Sequence, residues 1–267
     1  MTTRRDLRAL TDAAPAGLRT LRGALTTWVH RSRAAQVLAG APLGEGADPV
    51  PLGALPSVAG EAGEDDGPEV ARSWYVVVAP PDRWRVVGRG AVSVSDGRHS
   101  WVGTSTLVTE HDAAGALLHD AGAIAACLYP GAMLRGLVVG DPVADAVDGR
   151  TAWLVEAAPL PAGAGGTAAP PPHPDLLGVE HRLWLDVATG IVLRHEGSVE
   201  GAPCSTLELT DVVVDADLDP GDLRPPPGAV VRSRHELLRD HLAAIGVDPD
   251  TVDLDDPAQV RAALRGG

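Results

Sequence analysis

The chain has 267 residues and a hydrophobic fraction of 45%, enough to bury a sizeable core without disulfides or metal staples. Its formal net charge of −14 excludes the basic surface that a nucleic-acid partner requires. Lys, Asn and Phe are absent and all 22 basic residues are Arg, a composition expected of a very GC-rich genome of actinobacterial type. Cys127 and Cys204 read as two separate buried thiols. The N-terminal residues lack the apolar stretch of a signal peptide, and no run reaches the roughly 18 apolar residues of a membrane span, so the sequence as given reads as cytoplasmic.

In chain order, residues 1–40 are expected to form a helical segment that packs on a sheet. Leu18, Leu21, Leu25 and Trp28 recur at three- and four-residue steps, while Thr26 to Ala35 also fits an edge strand. Residues 41–71 are rich in Gly, Pro, Ala and acidic side chains and read as a flexible linker. Strands are expected at Trp74 to Ala79, Arg83 to Val87 and Ala91 to Ser95, with a fourth from His99 to about Val108. The period then changes to helical over 113–136, with Pro130 opening a second short helix. Strands resume at Leu137 to Val139 and Thr151 to Glu156, and residues 159–175 form a Pro/Gly-rich loop.

The stretch from Gly178 to Val214 carries the clearest pattern. His181, Leu183 and Leu185 alternate with Arg182, Trp184 and Asp186. Leu193 opposes Arg194, and Leu207 and Leu209 oppose Thr206, Glu208 and Thr210. Such alternation means one buried and one wet face, as in an antiparallel sheet, and Asp186 to Gly190 supplies the hairpin turn. The last part, 232–267, is a helical arm. Ser233 and Glu236 form a capping box ahead of Leu237, Leu238, Leu242 and Ile245, and Asp256-Pro257 starts a final short helix.

Catalytic and metal motifs are weak. His235 and His241 are six apart, which sets them on different helix faces rather than on the shared face of a zinc helix. His111, Asp112, His119 and Asp120 would make a metal cluster only if folded together, and their places at loop and helix ends favour a solvated surface. There is no phosphate loop and no Gly-x-Ser-x-Gly elbow. The chain is therefore expected to be no enzyme and to need no cofactor.

The order of Pro81-Asp-Arg-Trp-Arg85, Ser95-Asp-Gly97, Trp101, a Pro-containing helical stretch, Leu183-Trp-Leu-Asp186, Gly190, Arg194, Leu207-Glu-Leu209 and a Pro-Pro-Gly ending at Gly228 resembles the periplasmic lipoprotein-carrier superfamily (LolA/LolB-like). This family includes relatives that sense lipoproteins or regulate sigma-factor pathways. The resemblance covers about residues 73–231. It implies an α+β half-barrel, a curved antiparallel sheet of about ten strands with helices over its concave face. It also implies an apolar cavity for an acyl chain, and for Arg85 a role in holding the lid. Leu183, Leu185, Leu193, Leu207, Leu209, Trp84 and Arg85 are the expected ligand-binding residues. The expected function is non-enzymatic binding of an apolar small molecule or lipid. The alternative is a module for a protein partner, with its groove filled by its own helices.

Overall fold

The computed structural model describes residues 3–40, 68–111, 118–160 and 177–266. Residues 41–67 of the linker expected at 41–71, residues 161–175 of the loop expected at 159–175, and Asp112 lie outside these residues. The fold is α+β, built on one open 13-stranded sheet that does not close into a barrel. The strands are β1 (Leu21–His30), β2 (Glu69–Ala79), β3 (Arg83–Gly88), β4 (Ala91–Asp96), β5 (Ser100–Thr104), β6 (Leu107–His111), β7 (Leu137–Val139), β8 (Val143–Val147), β9 (Arg150–Pro159), β10 (Glu180–Asp186), β11 (Val192–Val199), β12 (Ala202–Val214) and β13 (Val230–Ser233). Their order is β13-β6-β5-β4-β3-β2-β1-β12-β11-β10-β9-β7, with β8 paired to β9 beyond β7. The helices are α1 (Arg4–Gly17), α2 (Arg31–Gly40), α3 (Leu118–Leu128), α4 (Pro130–Leu134), α5 (Arg234–Ala244) and α6 (Pro257–Gly266).

Several expectations need correcting. The segment read as helical over 4–39 contains β1, which lies between β2 and β12 in the middle of the sheet. Leu21, Gly23, Leu25, Thr27 and Val29 alternate as its buried face, and the run Thr26-Thr27-Trp28-Val29 favours the pleated conformation. The three- and four-residue steps fitted a helix only because Leu21 and Leu25 satisfy both periods. Gly23 sits at a bulge where an added Cβ would lie 2.8 Å from the Thr210 carbonyl oxygen. Residues 99–108 form no single strand: Ser105 and Thr106 turn the chain from β5 into β6. The strand expected from Trp74 begins at Glu69. The sheet also carries one parallel pair, β13 on β6.

Register assigns the faces. Leu25, Leu209 and Trp74 are cross-strand partners, as are Leu183, His195 and Leu207, and as are Val78 and Trp84. These residues share the inner face with Leu21, Val76 and Val86. On the outer face Val92, Val94, Trp101 and Val108 form a separate cluster under Ala229. The segment between β12 and β13 provides this cover as it returns to the far edge.

Trp184 also lies on the outer face, yet it is only 6% exposed. The guanidinium carbons of Arg182 and Arg194 each stand 5.1 Å from its ring centre, and its indole N–H donates to Asp145 at 2.8 Å. The C-terminal arm has its own small core of Leu242, Leu254 and Val260. Ser233 caps α5 as its sequence implies: its hydroxyl oxygen accepts from the Glu236 backbone N–H, and the Glu236 carboxylate accepts from the Ser233 backbone N–H at 2.7 Å. Such a cap stabilises by about 0.5–2 kcal/mol.

Candidate ligand-binding face

The inner face of β10, β11 and β12 is a floor of leucine. Leu183, Leu185, Leu193 and Leu207 are fully buried and Leu209 is 2% exposed. Each strand contributes alternate residues, so the wet side of the same strands carries Arg182, Arg194, Glu196 and Glu208. The roof comes from helices. Leu7 and Ala14 of α1, Ala123, Ile124, Cys127 and Leu128 of α3, and Leu134 of α4 belong to the same buried cluster as the leucines. Burying each leucine is worth about 1.5–3 kcal/mol. In this state the apolar face is therefore closed by the protein's own side chains.

The roof is tied down at two points. Gly190 takes φ +78° in the β10–β11 turn, and an added Cβ there would lie 2.7 Å from the Leu10 carbonyl oxygen, so α1 rests directly on the turn. Buried Asp186 holds that turn by accepting from Arg150 Nε at 3.1 Å, Arg150 Nη2 at 3.0 Å and the Thr189 hydroxyl at 2.6 Å. Second, α1 meets α4: Gly131 leaves no room for a side chain beside Asp12, and Asp12 pairs with Arg135 at 3.5 Å. This ion pair is solvent-exposed and adds little stability.

The sequence reading did not identify a polar pair within this apolar face. His181 Nδ1 and His195 Nε2 lie 3.0 Å apart in the β10–β11 ladder, and both rings are buried. One nitrogen must donate to the other, which requires at least one neutral ring. Burial pushes the His195 imidazole down to about 3, with a further push from His181, and burial also lowers His181. Among the described residues His195 Nδ1 has no hydrogen-bond partner. Alternation alone placed His181 inward, but the sequence carried no signal for its pairing with a residue 14 positions away.

The two remaining expected site residues part company. Trp84 joins the inner cluster at 6% exposure, and its indole N–H is buried without a partner. Arg85 is the next residue along β3 and therefore faces outward. Its Nη1 donates to the Arg224 carbonyl at 3.0 Å, which fixes the segment leading to β13 over the outer face. A lid-holding role on the inner face, implied by the family resemblance, is thus corrected for Arg85 by simple strand alternation.

Other chemistry is sparse. Cys127 and Cys204 are buried and not joined by a disulfide, and burial raises the Cys204 thiol, which disfavours the reactive thiolate. His235 sits 3.0 Å from Asp255 on the surface. Of the residues considered together for a metal, Asp112 and the side chains of His119 and Asp120 lie outside the described residues. Among the described residues no three His, Cys, Asp or Glu groups converge as metal ligands. No described helix is long and apolar enough to cross a membrane.

The described residues thus form an open, largely antiparallel sheet with helices over one apolar face. Similar solved structures include MucB (14% identity, TM-score 0.46), aligned over 85% of this chain. This chain spans only 64% of the MucB structure's length. They also include the Mycobacterium tuberculosis lipoprotein LppX (12% identity, TM-score 0.41), with 81% of this chain and 98% of LppX covered. A LolA superfamily protein from Nitrosomonas europaea is similar at 10% identity and TM-score 0.31, over 84% of this chain and 98% of that one. No family model and no curated protein matches the sequence.

Proposed function

We propose that this protein is a non-catalytic binder of an apolar ligand, with Leu183, Leu185, Leu193, Leu207, Leu209 and Trp84 as the floor and α3–α4 as a lid. The observation that supports this reading is the composition of the interface. A broad leucine floor is roofed, beside α1, by two short helices of 11 and 5 residues that set Ala123, Ile124, Cys127, Leu128 and Leu134 against it. Short helices are marginal by themselves and depend on this packing. An acyl chain that replaced them would leave the floor equally dry.

A second reading has its own support. The five leucines are 0–2% exposed, so the groove is already filled. If the lid stays shut, the protein acts through its outside, as a module for a protein partner. A fluorescent fatty-acid probe separates the two. The apolar-ligand reading expects saturable binding, with circular dichroism showing the sheet retained in the same samples. Absence of saturable binding by the intact chain removes that reading and leaves the interaction module.

A further inference from the structure

A groove of about 500 Å³ opens between α1 and the sheet edge at β7, lined by Arg4, Arg5, Arg8, Leu137, Val138, Val139 and Leu160. Its size falls within the roughly 300–1,000 Å³ of small-ligand sites. One wall is apolar and partly open to water: Val138 is 49% exposed and Leu160 37%. The other wall is cationic. Arg4 and Arg8 are four residues apart on α1, and Arg5 and Arg8 three apart, so the three project from neighbouring positions of one helix face. Arg4 is engaged by Asp141 at 2.8 Å. Among the described residues neither Arg5 nor Arg8 is within ion-pair distance of a carboxylate, although the Arg5 charge interacts with the neighbouring Asp6, in a chain whose net charge is −14. At its base the groove reaches the main core, because Val139 and Leu7 belong to the same buried cluster as the leucine floor.

We propose that this groove receives the carboxylate end of a single-chain amphiphile, with Arg5 and Arg8 on the carboxylate and the β7 edge along the first part of the chain. This rests on the apolar-ligand reading above and gives that ligand a charge and a place of entrance. Charge complementarity selects the ligand. Two exposed guanidinium groups recognise a carboxylate through charge-assisted hydrogen bonds, and their alkyl stems extend the apolar wall. A neutral amphiphile gains only the apolar part.

Calorimetric titration with dodecanoate and with dodecanol tests the assignment. The intact protein is expected to bind dodecanoate roughly tenfold more tightly than dodecanol. Arg5→Gln/Arg8→Gln should bring dodecanoate binding down to the level of dodecanol and so abolish that preference. Both side chains are exposed, so the fold should be unaffected. Arg89→Gln/Arg98→Gln removes the same charge from distant exposed turns and should preserve the preference. Equal binding of the two ligands by the intact protein, or a preference that survives Arg5→Gln/Arg8→Gln, would overturn the groove assignment and leave the apolar reading standing. Failure of both ligands to bind would overturn both.

Discussion

Leu193→Ala is expected to lower the free energy of unfolding by about 2–5 kcal/mol, read from urea titration. Leu193 is fully buried, at the irregularity in the β10–β11 ladder where Trp184 pairs with Arg194 and Leu185 with Val192. The neighbouring side chains are anchored on three sides, by the sheet, by α1 on the Gly190 turn and by α3. They cannot collapse into the vacated volume, so the transfer loss and the cavity add. Leu193→Gln should cost as much or more, since the roof above is apolar and its amide would find no partner. A wet or empty groove above Leu193 would give a different result. Its lining would already lack neighbours on one side, and Leu193→Ala would cost less than about 2 kcal/mol.

Acid is expected to weaken the same face. The His195 imidazole is pushed down to about 3 by burial and by His181, whereas in the unfolded chain it titrates near the ordinary value of 6.5. Between those values the unfolded state binds the proton and the folded state does not, so stability rises with pH across this window. The contribution is complete above about pH 6.5 and is lost as the pH falls toward about 3. His181 is shifted in the same direction by its own burial and adds with the same sign. Between pH 7.5 and pH 5 the loss should be on the order of 2 kcal/mol from His195. His195→Gln removes the titrating ring and should flatten the profile over that interval. An equally steep profile in His195→Gln would place the acid sensitivity elsewhere.

The sheet was legible where alternation was strict and local. Leu183 and Leu185, Leu193, and Leu207 and Leu209 alternate with charged or polar residues, and the turn at Asp186 to Gly190 is chemically marked, so the floor residues could be named from sequence. The same logic failed where two periods coincide. Leu21 and Leu25 fit helix and strand alike, and only the hydrogen-bonding partners β2 and β12 decide for the strand. β13 was missed because Val230 to Ser233 is short and pairs in parallel with a strand more than a hundred residues earlier. The opposite placement of Trp84 and Arg85 follows from strand alternation, and was obscured by treating the pair as one motif. The His181–His195 contact and the α1–β7 groove join residues distant in sequence. Nothing in local pattern marks either of them.

The central claim is that a leucine floor closed by α3 and α4 opens to an apolar ligand. Amide hydrogen exchange, followed by mass spectrometry with and without a saturating long-chain carboxylate, tests it most directly. Ligand is expected to accelerate exchange in Leu118–Leu128 and Pro130–Leu134 as these helices leave the floor. Amides of Glu180–Asp186, Val192–Val199 and Ala202–Val214 should stay protected. Unchanged exchange in both helices while the ligand is bound would contradict it, because the floor would then never have been uncovered.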